Sequence, residues 1–471
     1  MRGADKQPGR RARIAAEIEA SIARGAFRPG ERLPSTRTLA RAKGAAVATI
    51  VEAYESLAER GLVEVRPRSG YFVAVRRAAP RLDKVPDPAV EEPVAAAELA
   101  YQVLAKIRER QVVPLGSAFP SPALFPLPRL AQDLGRAVRR MDPWRTVEDL
   151  APGSAELRRQ VAKRYALQGV SIAPEEIVVT SGAMEALNLC LAAATRPGDV
   201  IALEAPAFYA SLQAAERLGL RVVQVATDPV EGIDLEALEH AIRKRGAKAC
   251  WLMPTLQNPL GATMPVAKRE ALARLLAKHD VALVEDDVYA ELRFDGTLPP
   301  VKAFDRKGLA MHCGSFSKSL APGYRVGWCA PGRYRAAVER AKLSTSIATS
   351  VPAQEGIAEF LRQGGFDRHL RRLRRTFAAQ LERYRAAIEA AFPPGTRVST
   401  PEGGYFLWVE MPPRFDAMAL YARAVKEGIS VAPGPMFSAA GGFRHALRIN
   451  AGHPWDERAA KAIARLGRLA N

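Results

Sequence analysis

The chain has 471 residues, of which 48% are hydrophobic and 25% charged, and 69 Lys and Arg against 50 Asp and Glu leave a formal net charge of +19. This length argues for two or more domains and excludes a mini-protein or a disordered tail. No apolar run reaches the roughly 20 residues that span a bilayer, and the basic first thirteen residues precede no apolar segment, so neither a membrane span nor a secretory signal is predicted. We expect a cytoplasmic protein.

The positive charge is concentrated at the amino end. Residues 1–80 carry +8, and the other 391 residues share the remaining +11. A basic segment of this kind favours a polyanionic partner such as nucleic acid.

Three helices are predicted in the amino-terminal region. The first is indicated by apolar residues that recur every four positions: Ile14, Ile18 and Ile22. Ser35 is the predicted N-cap of a second helix that ends at Gly44, and a third helix is predicted from about Ala46 to Arg60.

A β-hairpin follows the third helix. Apolar residues alternate with polar ones from Val63 to Val75, around a turn that contains Arg66 and Arg68. Three helices and a hairpin in this order predict a winged helix-turn-helix, whose third helix fits a major groove and whose basic turn reaches phosphates. A helical dimerisation module with a solvated basic face is the alternative that the residues leave open.

The motif PGERLPS at 29–35, with Leu39-Ala40, Gly61-Leu62 and GYFV at 70–73, resembles the GntR-type DNA-binding domain over residues 10–75. Members of that family usually begin the recognition helix with Ser-Arg, whereas this chain has Ala46-Val47 and retains Thr49. The resemblance implies that DNA is contacted by Arg37, Arg41, Lys43, Thr49, Arg66 and Arg68.

Residues 77–112 form the predicted linker. The first part contains Pro80, Pro86, Pro88 and Pro93, which favour an extended, semi-rigid chain. The stretch from Val94 to Arg110 is helix-prone. The sequence therefore predicts a DNA-binding domain at 1–76, a partly helical linker at 77–112 and a large domain at 113–471.

Strand and helix patterns alternate through the large domain. Buried strands are predicted at 177–180, 200–203, 222–225, 250–253 and 281–284. This alternation predicts an α/β fold with a mainly parallel sheet, on which ligands gather at the carboxyl ends of the strands. The cysteines Cys190, Cys250, Cys313 and Cys329 form no CxxC pair, so we predict reduced, mostly buried thiols and no metal site.

Polar motifs follow two of these strands, and a third polar motif lies near Cys313. They are QNPLG at 257–261, EDDVY at 285–289 and GSFSKSLAPGYR at 314–325. Together they resemble the fold-type I pyridoxal-phosphate enzymes of the aspartate-aminotransferase superfamily, whose fold ends in a smaller C-terminal subdomain. The resemblance spans nearly all of residues 113–471, including GSAFPSPALF at 116–125.

The resemblance assigns a role to each candidate residue. Lys318 would form the Schiff base with the cofactor, provided that its pKa is lowered, and Asp286 would pair with the pyridine nitrogen. Tyr289 and Asn258 would bind the phenolic oxygen, and Phe208 would stack on the ring. The phosphate would be held by Ser315, Ser317, Arg325 and the backbone amides of Ala183 and Met184. Arg448, in the segment LRIN, would grip a substrate carboxylate.

Two further features concern the protein surface. Many relatives place a Tyr a few residues before the equivalent of Gly153, where it reaches the partner subunit's phosphate, but this chain has Val-Glu-Asp-Leu at 147–150. The Arg-dense stretch from Arg368 to Arg385 predicts a solvated helix face, with a second DNA-contacting surface as the alternative.

Over its whole length the chain resembles the MocR family, also called GabR-like regulators. The resemblance implies a homodimeric transcriptional regulator that binds operator DNA and senses an amino compound or vitamin B6 through Schiff-base exchange at Lys318. A working aminotransferase acting on an amino acid is the alternative, because no residue of the catalytic set is missing. A carrier that buffers pyridoxal phosphate is a third reading.

Overall fold

The computed structural model describes residues 10–470 apart from residues 25, 29, 60–61, 67–68, 74–93 and 107–110. The chain divides into two compact units, Met1–Ala78 and Ala79–Asn471. In the described part of the first unit, three helices precede a two-stranded antiparallel sheet: α1 (Arg10–Ala23), α2 (Thr36–Lys43), α3 (Val47–Glu59), β1 (Val63–Arg66) and β2 (Gly70–Val73).

Local sequence signals determine where α2 begins and ends. The Ser35 hydroxyl accepts a hydrogen bond from the backbone N–H of Thr38, as an N-cap does. Gly44 ends the helix at a φ of 55°, a left-handed conformation that favours glycine. The predicted cap, stop and order of elements are confirmed.

The first unit has its own apolar core. Ile14 and Ile18 of α1 pack with Ile50, Tyr54 and Leu57 of α3. The predicted stripe on α1 is therefore confirmed. Val65 was expected to alternate with polar residues in a half-buried strand, but 51% of it is exposed, so β1 contributes only Val63 to the core.

The second unit begins with a helix and continues as an α/β fold. Its described helices are α4 (Val94–Lys106), α5 (Leu127–Arg140), α6 (Arg145–Glu148), α7 (Ala155–Leu167), α8 (Ala183–Ala194), α9 (Tyr209–Arg217), α10 (Leu235–Arg245), α11 (Val266–His279), α12 (Arg335–Thr345), α13 (Val351–Arg362), α14 (Gly365–Ala391), α15 (Ala417–Lys426) and α16 (Glu457–Ala470).

The strands of this unit form one large sheet and two small ones. They are β3 (Val113–Pro114), β4 (Val178–Thr180), β5 (Val200–Ala205), β6 (Arg221–Asp228), β7 (Gly232–Ile233), β8 (Ala247–Leu252), β9 (Ala282–Asp286), β10 (Ala310–Ser315), β11 (Gly327–Ala330), β12 (Arg397–Val398), β13 (Phe406–Glu410), β14 (Ile429–Ser430), β15 (Ala432–Pro433) and β16 (Ala446–Asn450).

The large sheet has the strand order β4-β11-β10-β9-β8-β5-β6-β7. The five strands from β10 to β6 in that order run parallel to one another, whereas β11 runs antiparallel to β10 and β4, and β7 runs antiparallel to β6. The predicted mainly parallel sheet is confirmed. Because parallel strands end at the same edge, the residues that follow β8, β9 and β10 meet there.

Helices cover both faces of the large sheet. Leu187 and Leu191 of α8 pack in one cluster with Ile201 and Trp251 of the sheet. On the opposite face, α10 and α11 contribute Leu238 and Leu272 to a second cluster with residues such as Val223, Cys250 and Leu283. All four cysteines are buried free thiols, as predicted.

The C-terminal part of the chain forms the smaller subdomain that the sequence predicts. Its four-stranded antiparallel sheet, in the order β12-β13-β16-β15, packs with α14, α15 and α16 in one apolar cluster. The short strand β3 pairs in parallel with β14, Val113 opposite Ile429. Residues 113–114 are therefore joined to this subdomain.

The helix α4 lies inside the predicted linker. Its buried residues Ala100 and Val103 pack in a cluster with Tyr209 and Ala210 of α9. The predicted helix thus packs within the second unit through these residues, and residues 107–110 of the prediction lie outside the described ones. In the part of the chain that the structure covers, no helix is long and apolar enough to cross a membrane.

Candidate functional site

Lys318 lies at the centre of a polar site at the carboxyl edge of the large sheet. It follows β10 by three residues, and its Nζ donates to the carbonyl oxygen of Ala118 at 2.7 Å. The same Nζ lies 3.7 Å from the centre of the Phe119 ring. Burial, together with the positive charges of Arg448 and Arg325, lowers the pKa of Lys318 to about 7. A large fraction of this amine is therefore neutral at physiological pH, as a nucleophile requires.

Asp286 ends the neighbouring strand β9 and is fully buried. Its Oδ2 accepts a hydrogen bond from Trp251 Nε1 at 3.4 Å, whereas its Oδ1 is buried without a hydrogen-bond partner. Burial raises the pKa of this carboxyl group to about 7, although the Trp251 hydrogen bond and the charge of Lys318 oppose the shift. A cationic N–H donor in front of Oδ1 would both satisfy the oxygen and keep the carboxylate ionised.

Tyr289 and Asn258 lie in the same buried region. The Lys318 Nζ is 5.9 Å from the centre of the Tyr289 ring. Burial raises the pKa of the Tyr289 hydroxyl above its usual value, so this group stays a neutral donor. Asn258 Oδ1 accepts from Arg448, while its Nδ2 is buried without a partner. The phenol and the amide thus offer donors to a ligand oxygen.

The predicted phosphate-binding side chains form one hydrogen-bonded group. Ser315 Oγ donates to Ser317 Oγ at 3.0 Å and accepts from the Ser317 backbone N–H at the same distance. Arg325 Nη1 donates to Ser317 Oγ at 3.3 Å, and Arg325 Nη2 donates to the carbonyl oxygen of Ser181 at 3.2 Å. The guanidinium therefore joins the loop after β10 to the loop after β4.

Two glycines let the first turn of α8 approach this group. Gly182, at a φ of 86°, precedes Ala183 and Met184, and a Cβ on it would lie 2.4 Å from Arg325 Nη2. A Cβ on Gly327 would lie 2.6 Å from the carbonyl carbon of Gly182. The backbone N–H groups at the start of a helix favour an anion, so this first turn fits a phosphate.

Arg448 is fully buried in the middle of β16. Its Nη1 donates to Asn258 Oδ1 at 2.9 Å, and its Nη2 donates to the carbonyl oxygens of Gly116 and Ser117 at 2.9 and 3.1 Å. Its Nε has no partner. Asn450, two residues on, donates to the carbonyl oxygens of Ser117 and Phe119. Arg448 and Asn450 therefore attach residues 116–119 to the C-terminal subdomain.

Phe208 is half-buried and packs against the apolar cluster that contains Tyr289 and Tyr405. Its ring centre lies 4.8 Å from that of Tyr209. The structure thus places Phe208 beside the same side chains as Tyr289. The stacking role implied for it stays a prediction.

Several buried groups at this edge of the sheet have no role in the sequence prediction. Tyr405 donates to the same Ala118 oxygen as Lys318, at 3.1 Å. His312 lies between Asp287, at 3.0 Å, and the hydroxyl of Tyr165, at 2.7 Å. Burial raises the pKa of Glu204, in β5, to about 8. These contacts join residues far apart in the chain, so periodicity could not reveal them.

The predicted DNA contacts of the first unit are mostly exposed. Arg37 and Arg41 of α2 point outward, and Thr49 of α3 is half-buried. Arg66 is exposed, with its guanidinium 4.3 Å from the centre of the Phe72 ring, and its Nη2 forms an ion pair with Glu64 Oε2 at 3.2 Å. Arg68 lies outside the described residues. Lys43 is exposed but forms an ion pair with Glu17 at 2.6 Å, so a phosphate would have to compete with that carboxylate.

One exposed arginine of this unit was not predicted. Arg32 forms a backbone bridge with Phe72, and its Nε lies 3.5 Å from the position that a Cβ of Gly70 would occupy. It therefore joins Arg66 beside the hairpin. In the sequence, Arg32 stands out only because it lies within the PGERLPS motif at 29–35.

The polar groups of the second unit fit pyridoxal phosphate. The unpartnered Asp286 oxygen suits a protonated ring nitrogen, and the unpartnered Asn258 Nδ2 suits the phenolic oxygen. The glycine-lined cradle beside Arg325 suits the phosphate. Lys318 provides an amine with a lowered pKa for the aldehyde. The site thus offers an unpartnered acceptor, Asp286 Oδ1, for the ring nitrogen and an unpartnered donor, Asn258 Nδ2, for the phenolic oxygen.

Two family models match the chain. The aminotransferase class I and II family matches residues 142–466, and the bacterial regulatory proteins of the gntR family match residues 10–73. The class I and II aminotransferase family is pyridoxal-phosphate-dependent. The second unit has the fold of the fold-type I enzymes.

Similar proteins cover nearly the whole chain. An uncharacterised helix-turn-helix transcriptional regulator of Escherichia coli, YdcR, is 43% identical over 97% of this chain and 98% of its own length. A second one, YjiR, is 36% identical over 96% and 97%. The solved structure of LysN, an α-aminoadipate aminotransferase from Thermus thermophilus complexed with phosphopyridoxyl-leucine, is 30% identical, covers 79% of this chain and 96% of its own, and superposes with a TM-score of 0.71.

Proposed function

Because this chain belongs to the class I and II aminotransferase family and carries a gntR-family DNA-binding domain at its amino end, as regulators of the MocR type do, we propose that it is a transcriptional regulator controlled by pyridoxal phosphate. The observation that carries the proposal is the pair formed by Lys318, with a pKa of about 7, and Asp286, with one unsatisfied buried oxygen, in a chain that also has a DNA-binding domain.

The side chains of the second unit would divide the binding of the cofactor among them. Asp286 would hold the ring nitrogen protonated, and Tyr289 and Asn258 would bind the phenolic oxygen. Phe208 would cover one face of the ring. The phosphate would lie among Ser315, Ser317, Arg325 and the amides of Ala183 and Met184. When bound, pyridoxal phosphate supplies an aldehyde that exchanges amines and a ring that withdraws electrons.

The effector we propose is a small amino compound, or the vitamin itself. Its amine would compete with the Lys318 amine for the aldehyde, which is the exchange predicted from the sequence. Arg448 would bind the carboxylate of such a compound through its Nε–H, a cationic donor that has no partner in the described part of the structure. To move a two-state equilibrium from 1:99 to 99:1, the effector must favour one state by about 5.5 kcal/mol.

The DNA-bound form would be a homodimer that presents two winged-helix domains to paired half-sites in double-stranded DNA. Arg37, Arg41 and Arg66 are the exposed cations that would contact the backbone. Thr49 would be the base-edge contact at the start of α3. The cytoplasm is the compartment that fits such a regulator.

An active aminotransferase is the second candidate function. The observation in its favour is that the proposed lysine, carboxylate and arginine are all present, and that they lie in one site. A regulator and an enzyme differ in what the released Lys318 amine does next, because transamination requires it to move a proton on the bound amino compound.

Two measurements on the purified full-length chain separate these functions. The regulator binds pyridoxal phosphate, seen as the visible absorbance of the lysine-bound cofactor, and retards DNA from its own upstream region with strong salt dependence. Rapid conversion of amino acids without selective DNA retardation would establish the enzyme instead. Lys318→Ala should abolish that absorbance, whereas the exposed Lys248→Ala should retain it. Mapping the DNA that the protein occupies in its cell would identify the regulated genes.

A further inference from the structure

Behind the phosphate cradle lies an ion pair between a buried lysine and a half-buried glutamate of two helices. Lys342, near the end of α12, is 1% exposed, and its Nζ donates to Glu185 Oε2 at 2.9 Å. Glu185 is the third residue of α8. Lys342 Nζ also donates to Ser346 Oγ at 3.1 Å, and the Ser346 hydroxyl donates to the other Glu185 oxygen. Three polar groups are thus satisfied in one small network.

The carboxylate of this pair also holds the loop that binds the proposed phosphate. Glu185 Oε2 accepts the backbone N–H of Ser181 at 2.5 Å, and the Ser181 carbonyl accepts from Arg325 Nη2 at 3.2 Å. The peptide groups on both sides of Ser181 are therefore fixed. Gly182 and the first turn of α8 follow directly. The hydrogen bonds of Glu185 and Arg325 to the Ser181 peptide groups therefore help to fix the orientation of the N–H groups in this turn.

The acid that positions this loop creates an electrostatic problem. A phosphate group carries roughly −1.5 to −2 charges at neutral pH, and a carboxylate in the first turn of the helix that binds it repels it. Hydrogen bonds to Ser346, Ser181 and Lys342 hold the pKa of Glu185 below its usual value against the effect of burial, so the repelling charge is present. Lys342 is the cation that faces it.

Stability alone gives a poor reason for this arrangement. Replacing a buried ion pair by apolar residues of similar volume is often neutral or stabilising, because desolvation offsets the attraction between the charges. Apolar residues could not replace the pair in another role: Glu185 accepts the Ser181 N–H, and Lys342 neutralises the charge of Glu185.

We infer that Lys342 and Glu185 are positioning residues for the cofactor phosphate: Glu185 holds the Ser181 peptide, and Lys342 neutralises Glu185 so that the cradle accepts a dianion. This inference rests on the proposed function, since it assumes that pyridoxal phosphate is the ligand. It concerns groups that do not touch the cofactor.

The test compares pyridoxal phosphate with pyridoxal, which has the same aldehyde and ring but no phosphate. Binding of each is titrated by absorbance with the full-length protein. Lys342→Met leaves the negative charge of Glu185 uncompensated. The affinity for pyridoxal phosphate should fall by about tenfold or more, an effect as large as the loss of a charge-assisted hydrogen bond, and the affinity for pyridoxal should change little. The matched control is Lys278→Met, which breaks the Lys278–Glu239 pair at 2.8 Å on the surface and should change the affinity for neither ligand.

The double variant Glu185→Gln/Lys342→Met distinguishes charge balance from a structural role. Glutamine keeps an oxygen for the Ser181 N–H and removes the negative charge, so the preference for pyridoxal phosphate should return toward the wild-type value. An equal loss for both ligands in Lys342→Met, or a double variant no better than Lys342→Met, would overturn the inference.

Glu185→Gln alone decides the matter if Lys342→Met does not fold. It should keep or increase the preference for pyridoxal phosphate over pyridoxal, and a tenfold decrease in that preference would refute the charge-balance argument. A wild-type protein that binds neither ligand would contradict the proposed function, and that outcome is distinct from a failure of this inference.

Discussion

Arg448 and Asn258 share a hydrogen bond, from Nη1 to Oδ1 at 2.9 Å, and each keeps one buried polar atom without a partner, Nε on the arginine and Nδ2 on the asparagine. Unsatisfied donors in a buried site cost free energy until an acceptor arrives. The pair therefore presents two donors to a ligand whose oxygens could satisfy both. This relationship underlies the first prediction.

We expect Arg448→Lys to weaken the response to amino acids but not to matching amines that lack the carboxylate. A lysine lacks the Nε–H donor that Arg448 has free for a ligand, and the loss of a charged hydrogen bond corresponds to about tenfold to hundredfold in affinity. The measurement is a titration of the cofactor-loaded protein, followed by absorbance. Equal losses for the amino acid and the amine would mean that Arg448 does not recognise the carboxylate. The exposed Arg274, 66% accessible in its side chain, provides the control Arg274→Lys.

The lowered pKa of Lys318 predicts the pH dependence of cofactor uptake. With a pKa of about 7, the neutral amine increases with pH up to about 8 and then levels off, whereas an ordinary lysine would continue to gain reactivity toward pH 10. The rate at which absorbance develops after mixing with pyridoxal phosphate measures this. A rate that still rises steeply between pH 8.5 and 10 would show that the burial of Lys318 does not control its protonation.

Asp286→Asn should change stability and cofactor binding in opposite directions. Because the carboxyl pKa is raised from 3.8 to about 7, the cofactor-free folded protein retains a proton that the unfolded chain releases, and the stability contribution of Asp286 falls as pH rises from 4 to 7. Asparagine does not ionise, so the free energy of unfolding should increase at pH 8 by up to about 4 kcal/mol and change little at pH 4. Denaturation at the two pH values measures this.

The same variant should bind pyridoxal phosphate more weakly than the wild type, since a neutral amide cannot hold the ring nitrogen protonated. If Asp286→Asn destabilised the cofactor-free protein at pH 8 as well, the carboxylate would have a structural partner that the described contacts do not include.

Gly327→Ala should disrupt the phosphate cradle. The added methyl group would lie 2.6 Å from the carbonyl carbon of Gly182 and 2.8 Å from the amide nitrogen of Ala183, both backbone atoms, so the start of α8 must move away from β11. We expect a loss of about 1 to 3 kcal/mol in stability and a weaker affinity for pyridoxal phosphate. Thermal unfolding and cofactor titration measure the two effects. In Gly323→Ala the methyl group meets no heavy atom within 4 Å, so that variant should bind like the wild type.

Arg66→Ala should weaken DNA binding in a manner that does not depend on sequence. Arg66 is exposed beside the hairpin, and the loss of one phosphate contact should lower the slope of log affinity against log salt by about 1. Gel retardation at several salt concentrations gives this slope. Arg274→Ala removes an exposed arginine of the second unit and should leave the slope unchanged. A loss restricted to one operator sequence would instead assign Arg66 to base recognition.

Local signals account for what the sequence could predict. Runs of consecutive apolar residues predicted β4, β5, β6, β8 and β9. Ser35 and Gly44 predicted the ends of α2. Both kinds of signal lie within a few consecutive residues of the chain. Asp286 and Lys318 were identified because the motifs that contain them, taken together in chain order, resemble those of a known family. The roles given to them stay predictions.

The remaining contacts depend on tertiary structure. The oxygen that accepts from Lys318 belongs to Ala118, 200 positions away, and the partner of Lys342 lies 157 positions away. A buried lysine within a helix looks, in one sequence, like any exposed one. The exposure of Val65 was likewise not predictable. A strand that buries one apolar residue and a strand that buries two show the same alternation of apolar and polar residues in the sequence.

The pairing of β3 with β14 and the hydrogen bonds from Arg448 and Asn450 to residues 116–119 attach residues 113–119 to the C-terminal subdomain. A turn of the C-terminal subdomain would therefore carry residues 113–119 with it. Ala118, whose carbonyl oxygen accepts from Lys318, lies in this segment, so a ligand that reorients Arg448 would also shift the hydrogen-bond partner of the lysine.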